Sequence, residues 1–251
     1  MALCQLYCHS EILGRRISIQ ALVPEHQDGP FPAFYLLHGL SDDHTVWCRN
    51  TRIECYVRDL PLIVVMPNGE RGFYTDNADG PRYATFMAEE LPRLVERIFR
   101  ARTDRAGRCV GGLSMGGYGA LRLALGYPGR YVSASSHSGA LLKGSSTETG
   151  SVLGEAEQRR IFGPAPRNTD HDLCALAERL AGSPEVPALH LDCGTEDFLL
   201  DENRAFHHKL QALGLPHVYR EYPGGHTWDY WDKHIREALR FHCRALDIAA
   251  G

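Results

Sequence analysis

Four short runs of almost unbroken hydrophobicity constrain this chain more than any other feature: Phe34-Tyr35-Leu36-Leu37, Leu62-Ile63-Val64-Val65-Met66, Cys109-Val110-Gly111-Gly112-Leu113 and Leu189-His190-Leu191-Asp192-Cys193. Near-continuous apolar character over so few residues predicts parallel strands covered on both faces. Between them lie stretches with helical spacing, one through Met87, Leu91, Leu94, Val95 and Ile98, another through Trp231, Ile235, Ala238 and Leu239. Pro92 is expected to kink the first. Alternating strands and helices predict a doubly wound α/β domain with a mostly parallel central sheet, helices on both faces and a ligand site at the carboxyl ends of the strands. The segments around Leu6 to His9 and Ile17 to Val23 read as strands that precede any helix, so an antiparallel N-terminal edge is expected.

A chain of 251 residues, 43% of them hydrophobic, can build one large core, and a single domain over 1–251 is expected. The stretch from Ser138 to about Asp172 breaks the rhythm, with Lys143-Gly144-Ser145-Ser146-Thr147-Glu148-Thr149-Gly150 followed by a short helix near Gly154 to Ile161. It reads as a small lid or mobile insertion at about 139–170. A formal charge of -4 without a long basic run argues against nucleic acid. The N-terminal residues show no signal sequence and no later run reaches transmembrane length, so a cytoplasmic chain without a membrane partner is expected. Eight cysteines without a CxxC pair read as free thiols. A homo-oligomer is compatible with all of this.

The third apolar run leads into Gly112-Leu113-Ser114-Met115-Gly116, a G-x-S-x-G pattern, and then into the helix-like Tyr118 to Leu125. In a nucleophile elbow the serine sits on a sharp strand-to-helix turn, with glycines on either side so that strand and helix approach closely. The competing reading of Ser114 is an ordinary helix N-cap. A serine hydroxyl is a weak nucleophile and needs a base, itself oriented by a third group. The α/β-hydrolase fold supplies these in the order serine, acid, histidine. After the strand ending at Cys193 comes Gly194-Thr195-Glu196-Asp197-Phe198-Leu199. After a strand at His217 to Tyr222 comes Pro223-Gly224-Gly225-His226-Thr227-Trp228. His226 is therefore the expected base and Asp197 the expected acid, with Asp192, Glu196 and Asp201 as rivals. Asp192 falls inside a strand, where its side chain would point across the sheet.

The oxyanion formed in acyl transfer needs two N–H donors, typically the residue after the nucleophile and one from the loop after an early strand. Met115 and Leu40 fill these places, the latter in Leu36-Leu37-His38-Gly39-Leu40, where Gly39 is expected to permit the turn that aims the Leu40 amide. Trp47 and Trp228 could wall a substrate pocket, although large aromatics are as readily core. No histidine spacing resembles a metal site, and no phosphate loop or dinucleotide fingerprint is present, so neither metal nor cofactor is expected.

These residues together carry a resemblance over nearly the whole chain. Leu37-His38-Gly39-Leu40 with Asp43 and Trp47 beyond, the stretch Gly112 to Ala120, Gly194 to Leu199, and Gly224-Gly225-His226-Thr227-Trp228 make the chain similar to an esterase family of α/β-hydrolases. That family includes esterase D, S-formylglutathione hydrolase, and bacterial tributyrin and feruloyl esterases. The resemblance implies an α/β-hydrolase fold, a Ser114, Asp197, His226 triad and an oxyanion hole at Leu40 and Met115. It also implies a serine carboxylesterase of small-molecule, short-chain acyl esters, working through an acyl-serine. Phe73-Tyr74-Thr75-Asp76 and Glu89-Glu90-Leu91-Pro92 look closest to the tributyrin and feruloyl branch. An S-formylglutathione hydrolase-like thioesterase, or a feruloyl or acetyl esterase acting on carbohydrate esters, is the alternative. The thioesterase branch usually carries a cysteine where this chain has Leu40-Ser41-Asp42-Asp43.

Overall fold

The computed structural model describes residues 1–145 and 153–249. Its strands are β1 (Ala2–Ser10), β2 (Arg15–Val23), β3 (Ala33–Leu37), β4 (Ile63–Pro67), β5 (Arg108–Leu113), β6 (Ser133–His137), β7 (Ala188–Gly194) and β8 (His217–Tyr222). They form one sheet in the order β1-β2-β4-β3-β5-β6-β7-β8. β1 pairs antiparallel with β2, and β2 with β4, while every pairing from β4 across to β8 is parallel. The hairpin that begins the sheet is tied back by Glu90, whose carboxylate accepts from the Ser10 hydroxyl at 2.6 Å and the Glu11 amide at 2.9 Å.

The helices are α1 (Val46–Asn50), α2 (Ile53–Val57), α3 (Tyr83–Thr85), α4 (Leu91–Phe99), α5 (Met115–Gly126), α6 (Glu155–Phe162), α7 (Leu173–Leu180), α8 (Leu200–Ala212) and α9 (Trp228–Ala245). They cover both faces of the sheet. On β3, Tyr35 and Leu37 enter a core shared with α4, α5 and α7, while Phe34 and Leu36 enter another shared with α2 and α9. This two-sided burial explains the unbroken apolar runs.

Three features add to the sequence pattern. Helical structure continues through Pro92 by way of a local irregularity: α3 passes through a π-helical turn, Phe86–Glu90, into α4, with the proline in the first turn. Pro92 has no N–H to offer the preceding turn, and the Met87 carbonyl takes the Tyr131 hydroxyl at 3.0 Å instead. The second is β6, whose sequence Ser-Ala-Ser-Ser-His contains no apolar run yet is wholly buried between β5 and β7. Its Ser133 and Ser135 hydroxyls meet the two ring nitrogens of His242 on α9, at 2.8 and 2.9 Å. A neutral imidazole offers one donor and one acceptor, and burial pushes the His242 pKa well down, which keeps it neutral.

The third concerns the expected lid. Within it the predicted short helix is present as α6, and it is docked. Glu157 pairs with Arg71 at 2.7 Å, the carbonyls of Arg160 and Ile161 accept from Asp79 and Ala78 at 3.0 Å, and Phe162 packs on Phe73 and Tyr118. Part of the polar stretch from Lys143 to Gly150 lies outside the described residues.

Candidate active site

β5 delivers Ser114 to the carboxyl edge of the sheet, and α5 begins at the next residue. Ser114 has φ 52° and ψ −114°, a conformation that costs a residue with a side chain about 1–3 kcal/mol and persists only where its surroundings hold it. They do so here. The Ser114 amide donates to His137 at 2.9 Å, and its carbonyl accepts from Tyr118 and Ala140, each at 3.1 Å. The glycines on either side are required by close approach: a Cβ at Gly112 would lie 2.6 Å from the Gly116 carbonyl, and one at Gly116 2.5 Å from that of Leu37. Ser114 makes no side-chain cap to α5. Its hydroxyl is directed elsewhere.

That hydroxyl lies 3.0 Å from His226 Nε2, and His226 Nδ1 lies 2.9 Å from Asp197 Oδ2 and 3.1 Å from Oδ1. Asp197 leaves the end of β7 and His226 the end of β8, loops so close that Gly194 has the Gly224 carbonyl 2.1 Å from where its Cβ would be. The Asp197 side chain is fully buried and that of His226 19% exposed. Burial alone would raise the Asp197 pKa, but hydrogen bonds from His226, the Leu199 amide and Ser138 outweigh it and hold the carboxyl below its usual value. An ionised Asp197 can only accept, so Nδ1 carries the proton and Nε2 presents a lone pair to the Ser114 hydroxyl.

The rivals take other places. Asp192 points across the sheet to its register partner His137, 2.7 Å away and equally buried, and accepts from the Tyr230 hydroxyl at 3.0 Å. Glu196 accepts from the Gly224 amide, clasping the acid and histidine loops together. Asp201 is exposed in the first turn of α8.

On the other side of Ser114 is the Leu37-His38-Gly39-Leu40 loop. Gly39 is not at a positive φ; its carbonyl accepts from the Asp42 amide at 3.3 Å, closing a turn, its Cβ would lie 2.7 Å from Leu113, and Ser41 bears the positive φ, at 68°. His38, which sequence reasoning did not assign, braces this loop. Its Nε2 accepts from the Gly69 amide at 2.9 Å, so the proton sits on Nδ1, which donates to the Gly39 carbonyl at 2.8 Å. Burial lowers the His38 pKa and keeps this tautomer uncharged. In a trans peptide the carbonyl and the following N–H point opposite ways, so holding the Gly39 carbonyl toward His38 holds the Leu40 N–H away from it. Tyr74 locks His38 in turn, accepting from its amide at 3.0 Å and donating to its carbonyl at 3.1 Å. Arg71 joins the same loop to α6, donating to Ser41 at 2.5 Å and to Glu157 at 2.7 Å.

Of the two tryptophans, Trp47 is 1% exposed and its indole donates to the Leu37 carbonyl at 3.0 Å, so it supports the loop from beneath. Trp228 is half-buried and packs edge-on against both Trp47 and Trp231. Phe198 stands exposed beside His226, with ring centroids 4.6 Å apart. Among the described residues no group of three or more His, Cys, Asp or Glu side chains could hold a metal ion, and no helix is long and apolar enough to cross a membrane. The eight cysteines are unpaired.

Residues 10–242 match the family model described as "Putative esterase". The chain belongs to this esterase family. An acetyl esterase of Caldicellulosiruptor saccharolyticus is similar to this esterase at 31% identity, over 98% of this chain and all of that protein. Two solved structures from Staphylococcus aureus resemble it at 29% identity. The fluorophosphonate-binding serine hydrolase FphF superposes with a TM-score of 0.87, covering 96% of this chain and 98% of that one. The S-formylglutathione hydrolase FrmB superposes with a TM-score of 0.86 over the same shares. The esterase has the α/β-hydrolase fold and is a carboxylic ester hydrolase.

Proposed function

We propose that this esterase hydrolyses short-chain carboxylic esters through an acyl-enzyme on Ser114. The observation that carries the reading is the unbroken relay from Asp197 through His226 to the Ser114 hydroxyl, with contacts of 2.9 and 3.0 Å. His226 Nε2 takes the hydroxyl proton as Ser114 Oγ bonds to the ester carbon, and Asp197 stabilises the imidazolium. The Leu40 and Met115 amides receive the oxyanion, helped by the positive end of α5. The carbon–oxygen bond to the alcohol then breaks and His226 returns the proton to the departing oxygen. Water, deprotonated by His226, attacks the acyl carbon; the bond from that carbon to Ser114 Oγ breaks, His226 returns the proton to Oγ, and the acid is freed. Every proton moved has a place on this chain, and the reaction calls for no cofactor.

A second reading, thioester hydrolysis of the S-formylglutathione type, is favoured by the likeness to FrmB and uses the same residues. The test is hydrolysis of p-nitrophenyl acetate, butyrate and octanoate by the wild type and Ser114→Ala, with S-formylglutathione in parallel. Turnover falling from acetate to octanoate in the wild type and lost at least about 10,000-fold in the variant is expected. Equal rates in both proteins exclude Ser114 as the nucleophile, and faster turnover of octanoate overturns the short-chain preference. A preference for the thioester moves the second reading ahead.

A further inference from the structure

Phe198 is placed against the usual economy of a folded chain. Its ring is 68% exposed, whereas its neighbours Asp197 and Leu199 are buried. The backbone imposes this direction: the Asp197 amide donates to Gly194 at 3.1 Å, the Leu199 amide to Asp197 Oδ1 at 2.9 Å, and the Leu200 amide to the Asp197 carbonyl at 3.1 Å. The tight turn that orients the acid therefore also holds the phenyl ring outward. Among the large exposed apolar side chains described, Leu3 and Tyr7 lie on β1 at the far edge of the sheet and Ile98 on α4, so Phe198 alone touches the triad. Its ring sits 4.6 Å from the imidazole of His226, tilted by 49°. A second aromatic contact to His226 comes from Trp231, edge-on at 4.9 Å. Trp231 is buried, so of these two rings only Phe198 offers a face to solvent.

The reaction makes that face meaningful. When the tetrahedral intermediate collapses, the electron pair of the breaking bond stays on the alcohol oxygen, which receives the proton from His226 Nε2. The oxygen must therefore lie within hydrogen-bond reach of Nε2, and the rest of the alcohol leaves past the imidazole. Of the two rings in contact with the imidazole, the solvent-facing one is Phe198. We propose that Phe198 is the platform of a leaving-group subsite. It favours alcohols with a flat apolar face, either an aromatic ring or the C–H face of a sugar, over small alkyl alcohols. This assignment rests on the reading of Ser114 as nucleophile and adds the substrate class on its alcohol side.

The experiment compares the wild type with Phe198→Ala and Phe198→Tyr on three esters that share the acetyl group: ethyl acetate, benzyl acetate and a 6-O-acetyl methyl glucoside. All three pass through one acetyl-enzyme, so a leaving-group subsite acts on acylation and shows in kcat/KM. Phe198→Ala should lose about five- to tenfold in kcat/KM on benzyl acetate, the size of one aromatic contact. It should stay within about twofold on ethyl acetate, and Phe198→Tyr should keep the wild-type preference. A comparable loss on the glucoside extends the subsite to sugars; a loss on benzyl acetate alone confines it to aromatic alcohols. An equal loss on ethyl and benzyl acetate, with a displaced pH profile, means that Phe198 merely braces His226 and overturns the proposal, as does no loss on any ester. Failure of the proposed function is distinguishable, because the wild type would then hydrolyse none of the three and a fluorophosphonate would not label Ser114.

Discussion

The two sides of the Ser114 hydroxyl are built from different materials. On one side, where the Leu40 and Met115 amides are proposed to receive the oxyanion, the elements are backbone, set by strand-to-helix contacts too close for a Cβ and by the buried His38, whose ring nitrogens are both occupied. On the other they are side chains on two loops, Asp197 and His226, the latter open to solvent on one flank. A backbone donor cannot be deleted without disturbing what holds it, whereas a side chain can be removed alone. The two sides should therefore fail differently, one through stability and graded rate, the other through near-complete loss of activity in an intact fold.

The largest effect lies on the side-chain side. His226→Ala should lower kcat on p-nitrophenyl acetate by at least about 10,000-fold, with a melting temperature close to wild type because the side chain is partly exposed. Asp197→Asn, whose amide can donate and so admit the wrong imidazole tautomer, should cost about 100- to 10,000-fold. Gly116→Ala is the counterpart on the backbone side. Its Cβ would meet the carbonyls of Leu37 and His38 at 2.5 and 2.7 Å, neither of which can rotate away. A loss of about 1–3 kcal/mol in denaturant unfolding is expected, comparable to overpacking a core. A Gly116→Ala protein of wild-type stability would break the contrast.

His38→Asn should sharpen it. The shorter amide cannot span from Gly69 to Gly39, so the Leu40 peptide loses its brace. The expected result is a fall of about tenfold in kcat with KM little changed, a fraction of the cost of deleting an oxyanion donor. If KM rises instead and kcat holds, His38 supports binding and not the transition state.

The effect expected in pH dependence lies outside both sides. Burial drives His190 from 6.5 down to about 4, outweighing the attraction of Asp192. The unfolded chain takes up this proton below about 6.5 and the folded chain only near 4, so stability is full above 6.5 and drains away as pH falls toward 4. Melting temperature should decline across that window, and His190→Gln should flatten the decline.

Legibility followed the same division between pattern and packing. The strands β3 and β6 lie on either side of β5, and each is wholly buried. β3, Ala-Phe-Tyr-Leu-Leu, announces itself because its burial is met by apolar side chains; β6 does not, because its burial is met by hydrogen bonds to His242, more than a hundred residues later in the chain. The same reasoning separates Ser114, Asp197 and His226 from His38. The first three occupy positions that local pattern and chain order single out, while His38 acquires its task from Gly69 and Tyr74, partners that no local pattern names.

The sequence by itself determined the alternation that forces a parallel sheet, the elbow around Ser114 and the loops that end β7 and β8, because each depends on neighbours within one turn or one strand. Tertiary structure alone decided that the Leu37-His38-Gly39-Leu40 loop is braced by His38, Tyr74 and Arg71, that Trp47 lies beneath it, and that Phe198 faces solvent beside His226. Those outcomes are contacts between distant segments, and they exist only once the sheet has brought the ends of β3, β5, β7 and β8 to one edge.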